Sequence, residues 1–154
     1  MTKRQLLLLV TCVLSIYGVG NIWPVQVSSY KLWTYVGQRE FHDYHIAWWR
    51  SIWGVILIPA GLVFLGAILM LIWRPPGVPA WALWVGLALQ VALALGTALY
   101  WGPLMARLST PEGGLSLPLY HTLMLNHWLR VAIVTGYAAL TVWMLVTSAS
   151  LSKV

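Results

Sequence analysis

Two short stretches carry most of the residues able to do chemistry. The first is Arg39-Glu40-Phe41-His42-Asp43-Tyr44-His45-Ile46-Ala47-Trp48-Trp49-Arg50, with two of the three acidic residues and two of the four histidines. The second is Asn126-His127-Trp128-Leu129-Arg130. His42 and His45 are three apart and share one face of a helix, a face that Trp49 continues. Neutral imidazoles on adjacent turns make half of a site for zinc, copper, iron or nickel. Asp43 lies off that face but can ligate from the helix start or orient a ring. The same HxxH pattern also reads as a solvated helix N-terminus at an interface. His127 and Arg130 repeat the spacing of three, and Asn126 stands four before Arg130. An arginine inside an apolar stretch is costly and faces a bundle interior or a polar partner. Arg50 sits in the matching place, where snorkelling to the interface is the simpler reading.

If the helices carrying these stretches run parallel across a bundle, His45 and His127 converge on one central cavity. Three arrangements suit that geometry. One is a mononuclear transition metal held by His42, His45 and His127. Another is a bis-histidine haem, for which Trp48, Trp49, Trp53 and Trp128 leave little room. The third is an acid–base site for a lipophilic substrate, where His45 and His127 handle protons and Arg130 and Arg50 hold an anionic or carbonyl oxygen. Asn126 and Trp49 are the further candidates for contacting a cofactor. The residues do not choose among these, so the cofactor stays unknown.

The elements that must position these residues are apolar. Of 154 residues, 60% are hydrophobic and 8% charged, where a soluble domain carries about 25% charged. Lipid must therefore be the solvent. Four spans are expected, approximately 5–23, 46–73, 80–102 and 124–147, each near the length of about 20 residues that crosses a bilayer. The basic start and first apolar run resemble a signal peptide, but no small-x-small cleavage site follows, so a retained first helix is expected. Residues 24–41 read as a polar connection, with Tyr30, Trp33 and Tyr35 at headgroup level. Pro59, near Gly61, predicts a kink in the second span that neighbouring helices can tolerate. Arg74-Pro75-Pro76-Gly77-Val78-Pro79 is a turn.

These spans predict an all-α, integral membrane, up-down-up-down four-helix bundle, which satisfies every backbone group in lipid. The 1–2 and 3–4 connections then share one side. That side collects His42, His45, His121, His127, Glu40, Asp43, Glu112, Lys31, Arg39, Arg50, Arg107 and Arg130. The other keeps Lys3, Arg4, Arg74 and Lys153. The Lys3-Arg4 flank of the first helix favours a cytoplasmic N-terminus, in a bacterial inner membrane. The formal charge of +6 forms no basic stripe, so no nucleic-acid partner is expected. Cys12, the only cysteine, excludes an internal disulfide or a CxxC motif and reads as a packing residue. Most of the eleven tryptophans fall at span ends as an aromatic belt. Gln90 reads as an interhelical hydrogen bond worth about 0.6 kcal/mol. Gly61, Gly66, Gly86, Gly96 and Gly136 read as close helix approaches.

Glu40-Phe41-His42-Asp43-Tyr44-His45 and Asn126-His127-Trp128-Leu129-Arg130 resemble motifs of a group of small bacterial four-helix membrane proteins. In that group E-F-x-x-Y-H opens the second helix, and N-x-x-R-T or H-W-x-R-T stands near the start of the fourth. Val131 replaces the usual threonine here. The group is distantly similar to the anthrone-oxygenase-like family, whose named members are linked to oxidation of polycyclic aromatic substrates. The resemblance implies His45 and Arg130 as site residues.

Two functional classes follow. One is an enzyme or cofactor-binding protein acting on a lipophilic small molecule at the histidine-rich face. The other is a non-catalytic accessory subunit, packed against a membrane-protein partner or a second copy of itself. Transport fits less well, because no acidic residue lies inside a span.

Overall fold

The computed structural model describes residues 1–110 and 114–150. Glu112, expected on the histidine-rich side, and Lys153, expected opposite, lie outside the described residues. Four helices are long and apolar enough to cross a membrane: α1 Lys3–Tyr35, α2 Phe41–Ile72, α3 Ala80–Ala106 and α4 Leu117–Ser150. They form one helical bundle. α1 packs on α2 and α4, and α3 packs on the same two neighbours. Between α3 and α4 lies a small antiparallel pair, β1 Ser109–Thr110 and β2 Gly114–Leu115, which rests against the first part of α2.

The start of α1 is capped from its own sequence. The Thr2 hydroxyl accepts from the Gln5 amide at 3.2 Å, and Gln5 Oε1 accepts from the Thr2 amide at 2.9 Å. This reciprocal pair satisfies two otherwise free helix-start donors. The turn between α2 and α3 closes where Arg74 Nε donates to the Val78 carbonyl at 2.7 Å. Gly77 supplies the positive φ of 74° that a side chain would resist.

The helices run further than the apolar stretches suggest. Pro24 does not end α1: a π-helical turn over Val25–Ser29 follows it, then Tyr30–Leu32, then a 3₁₀ turn at Trp33–Tyr35. The expected polar connection of residues 24–41 is therefore mostly helix. Tyr30 and Trp33 do not face outward but are 1% and 0% exposed. Burial explains the extension. Tyr30 and Trp33 pack with Phe41, Trp101 and Met105 in one core cluster, and apolar area removed from water contributes about 25 cal/mol per Å². Tyr35, beyond them, is exposed.

Two further π-helical turns, Trp53–Leu57 and Thr97–Trp101, each precede a proline, Pro59 and Pro103. A proline ring clashes with the carbonyl four residues earlier and cannot donate to it. A widened turn relieves that clash. For Pro59 the freed carbonyl is that of Val55, and Tyr17 Oη of α1 donates to it at 3.0 Å. The kink expected at Pro59 thus takes the form of a π turn with a partner from the next helix.

At the far end of the bundle Leu8, Met70, Val78, Ala82, Leu83 and Met144 form a second core. Close approach is real at two of the five glycines expected to give it. A Cβ on Gly66 would collide with the Thr11 side chain, and one on Gly86 would come 3.2 Å from Tyr137. Gly61 and Gly136 meet nothing, and Gly96 faces Trp101 of its own helix. Cys12 is buried and free. At the other end the 1–2 connection touches the hairpin: the Leu115 amide donates to Gln38 Oε1 at 3.1 Å.

Candidate functional site

One cavity of about 470 Å³ lies among all four helices. Ligand sites occupy about 300–1,000 Å³. Residues of all three π-helical turns line it, including Val25, Val55 and Thr97. Its walls are mostly apolar. The polar groups are few, and Arg130 is the only charged residue in the lining among the described residues.

Arg130 is half-buried. One guanidinium nitrogen donates to Thr97 Oγ1 at 3.0 Å, and Cζ lies 5.2 Å from the Trp101 ring centre. Among the described residues no carboxylate reaches it. His127, one turn earlier on α4, is 0% exposed. Its Nδ1 lies 2.7 Å from Gln26 Oε1, and its Nε2 has no partner among the described residues. Tyr137 Oη and Trp101 Nε1 are buried without partners too, and both residues line the same cavity. Gln90 lines it as well. It is buried but makes no interhelical hydrogen bond among the described residues, so the bond expected of it is not formed.

His42 and His45 lie elsewhere. They line a second, smaller cavity of about 290 Å³ with Arg50, Trp49, Trp53 and Ser109. His45 Nδ1 and Ser109 Oγ are hydrogen-bonded at 3.1 Å. His45 Nε2 and His42 Nδ1 are buried without partners. Trp49 and Trp53 line both cavities and form the wall between them. Arg50 is exposed at the rim.

His45 and His127 therefore do not share one cavity. Trp33 stands against His45 with ring centres 5.3 Å apart, Tyr30 against Trp33 at 4.6 Å, and His127 against Tyr30 at 4.8 Å. The rings fill the space that a shared metal would need. Among the described residues no three His, Cys, Asp or Glu side chains group to hold an ion, so the His42, His45 and His127 set is not assembled. Asn126 points away: it is exposed, and its Nδ2 donates to the Thr122 carbonyl of its own helix at 2.9 Å. His121 is exposed and lines neither cavity. Asp43 is exposed at the start of α2.

Of the expected site residues, the structure brings His127 and Arg130 together in the large cavity. It puts His42, His45 and Arg50 together in the small one, and Trp49 between. Gln26, Thr97, Trp101 and Tyr137 are additions. Tyr137 had a signal, since His127, Arg130, Val134 and Tyr137 follow helical spacing on α4 and all line the cavity. Gln26 and Thr97 had none, because their roles depend on how α1 and α3 pass the prolines.

The fold and site define a helical bundle with four span-length apolar helices around a cavity whose described lining carries one charged side chain, Arg130. No family model, curated protein or solved structure matches the chain.

Proposed function

We propose that this is an integral membrane protein whose large cavity binds a lipophilic small molecule by an anionic or carbonyl oxygen at Arg130. The four helices cross a bacterial inner membrane up-down-up-down, with the N-terminus cytoplasmic. The contact between Gln38 and Leu115 supports both long connections lying on one side. The lipid-facing surface that the exposed Trp81, Trp84 and Trp143 imply supports a bilayer setting.

One observation carries the ligand reading. Arg130 is a cation in an apolar cavity, and no carboxylate among the described residues neutralises it. Such a charge inside a span costs about 2.5–3.5 kcal/mol, and buried charges are paired. A ligand oxygen supplies the missing partner. Trp101 Nε1 and Tyr137 Oη, buried without partners, add hydrogen-bonding capacity of the same kind.

Mass spectrometry of the organic extract from gently purified protein tests this. Wild-type protein should carry a small lipophilic acid or carbonyl compound that Arg130→Met has lost. An extract holding only bulk lipid in both proteins contradicts the reading. A stoichiometric protein partner whose carboxylate reaches Arg130 would put an accessory subunit in its place.

A further inference from the structure

The hydrogen bonds around His127 fix which of its nitrogens carries the proton. Gln26 Nε2 donates to the Met124 carbonyl at 3.2 Å. A carbonyl only accepts, so the amide group facing Met124 must be the NH₂. The other end of the amide, Oε1, faces His127 Nδ1 at 2.7 Å. An amide oxygen also only accepts, so Nδ1 must carry its hydrogen. In the neutral ring Nε2 is then a bare lone pair. It is buried and meets no donor among the described residues.

An unused acceptor in a buried site is as costly as an unused donor. Here one stands a helical turn from a guanidinium that no carboxylate among the described residues neutralises, in a cavity whose described lining holds no acid. The titratable residues of that lining are Arg130, His127, Tyr17, Tyr30 and Tyr137. Arg130 calls for an oxygen acceptor, preferably an anion. His127 Nε2 calls for a hydrogen donor. One ligand group meets both demands: an acidic O–H.

We infer that the cavity takes a lipophilic weak acid in its neutral form and divides it between two residues, the proton going to His127 Nε2 and the conjugate base to Arg130. The O–H bond of the ligand breaks and its electron pair stays on oxygen. The proton forms an N–H bond at Nε2, and His127 becomes an imidazolium. A neutral acid partitions into lipid more readily than its anion, so it enters a lipid-surrounded cavity without carrying charge. Gln26 is a positioning residue, because its carbonyl oxygen holds the proton on Nδ1 and keeps Nε2 free. This step rests on the proposed ligand cavity at Arg130 and goes beyond it by naming the ligand as an acid and His127 as its base.

An octyl-substituted nitrophenol is a suitable probe, because its phenolate and its phenol absorb at different wavelengths. Its O-methyl ether lacks the acidic hydrogen and is the control. Binding is followed below the probe's solution pKa by absorbance, and by calorimetry in two buffers of different ionisation enthalpy. Wild-type protein should bind the phenol at least tenfold more tightly than the ether. The bound form should be phenolate, with no net proton released to buffer. His127→Leu should bind it as uncoloured phenol or release the proton to buffer. Three wild-type results overturn the inference while leaving the ligand cavity standing: bound neutral phenol, bound phenolate with a full proton released, or equal affinity for the ether. Failure of both phenol and ether to bind overturns the cavity reading, and the inference with it. The wild-type measurements decide the matter even if the variant does not fold.

Discussion

Replacing Arg130 by methionine separates a binding role from a structural one. Methionine replaces the aliphatic stem of the arginine, so the stem's part of the cavity wall is kept. The substitution removes one charge-assisted hydrogen bond, to Thr97 at 3.0 Å, worth about 1.5–3 kcal/mol. It also removes the contact with Trp101 at 5.2 Å, worth about 0.5–2 kcal/mol. Against these it relieves about 2.5–3.5 kcal/mol for a charge held within a span. The terms offset each other in part, and no carboxylate among the described residues is left orphaned. Ligand-free Arg130→Met should therefore lie between about 1.5 kcal/mol more stable and about 2.5 kcal/mol less stable than wild type, the span of those same ranges. Ligand affinity should fall far more. Truncating one side of a buried charge pair costs about 2–5 kcal/mol, and about 1.4 kcal/mol is tenfold, so the loss should be about 30-fold or greater. Unfolding of delipidated protein in mild detergent gives the first quantity, and ligand titration gives the second. The reasoning is refuted if Arg130→Met is destabilised by more than about 3 kcal/mol, the scale on which breaking a buried pair is felt, with affinity unchanged in the folded fraction. Arg130 would then be part of the scaffold.

Other expectations follow from individual contacts. Gly66→Leu should separate α1 from α2, because even a Cβ there meets Thr11; overpacking of this kind costs about 1–3 kcal/mol, read as a lower unfolding temperature in detergent. Tyr17→Phe strips the donor from the Val55 carbonyl and should cost about 0.6 kcal/mol, with faster hydrogen exchange over Trp53–Leu57 than in wild type. Gln38→Ala removes the acceptor of the Leu115 amide, so that amide should exchange faster while α1 and α4 keep their protection. In Cys12→Ser protein, single cysteines at Gly37 and Pro76 should be labelled by an impermeant reagent from opposite sides of a membrane vesicle. Labelling of both from the same side would remove the up-down arrangement.

The sequence made the larger features legible because they depend on summed composition. Four apolar runs and the Arg74-Pro79 turn needed no long-range information. The pairing of His127 with Arg130 on one helix face was equally local. Misread regions depended on what the chain meets after folding. Pro24 reads as a helix end, yet burial of Tyr30 and Trp33 carries α1 onward to Tyr35. That extension decided the site. It put Tyr30 and Trp33 between His127 and His45, so the expected convergence gave way to two cavities. It also delivered Gln26 to His127. A glutamine among apolar residues gives no hint of such a partner 101 positions away. Asn126 was placed by its spacing of four from Arg130, and His121 by the side its connection shares, but both side chains are exposed and line neither cavity.

The central claim is that a ligand oxygen completes the cavity at Arg130, and an experimental structure of the protein in a lipid bilayer tests it most directly. The account predicts a bound small molecule in the large cavity, with an oxygen atom within hydrogen-bonding distance of the Arg130 guanidinium and His127 Nε2 facing the same group. A protein carboxylate seated on Arg130, or side chains collapsed into the cavity around it, would contradict the account.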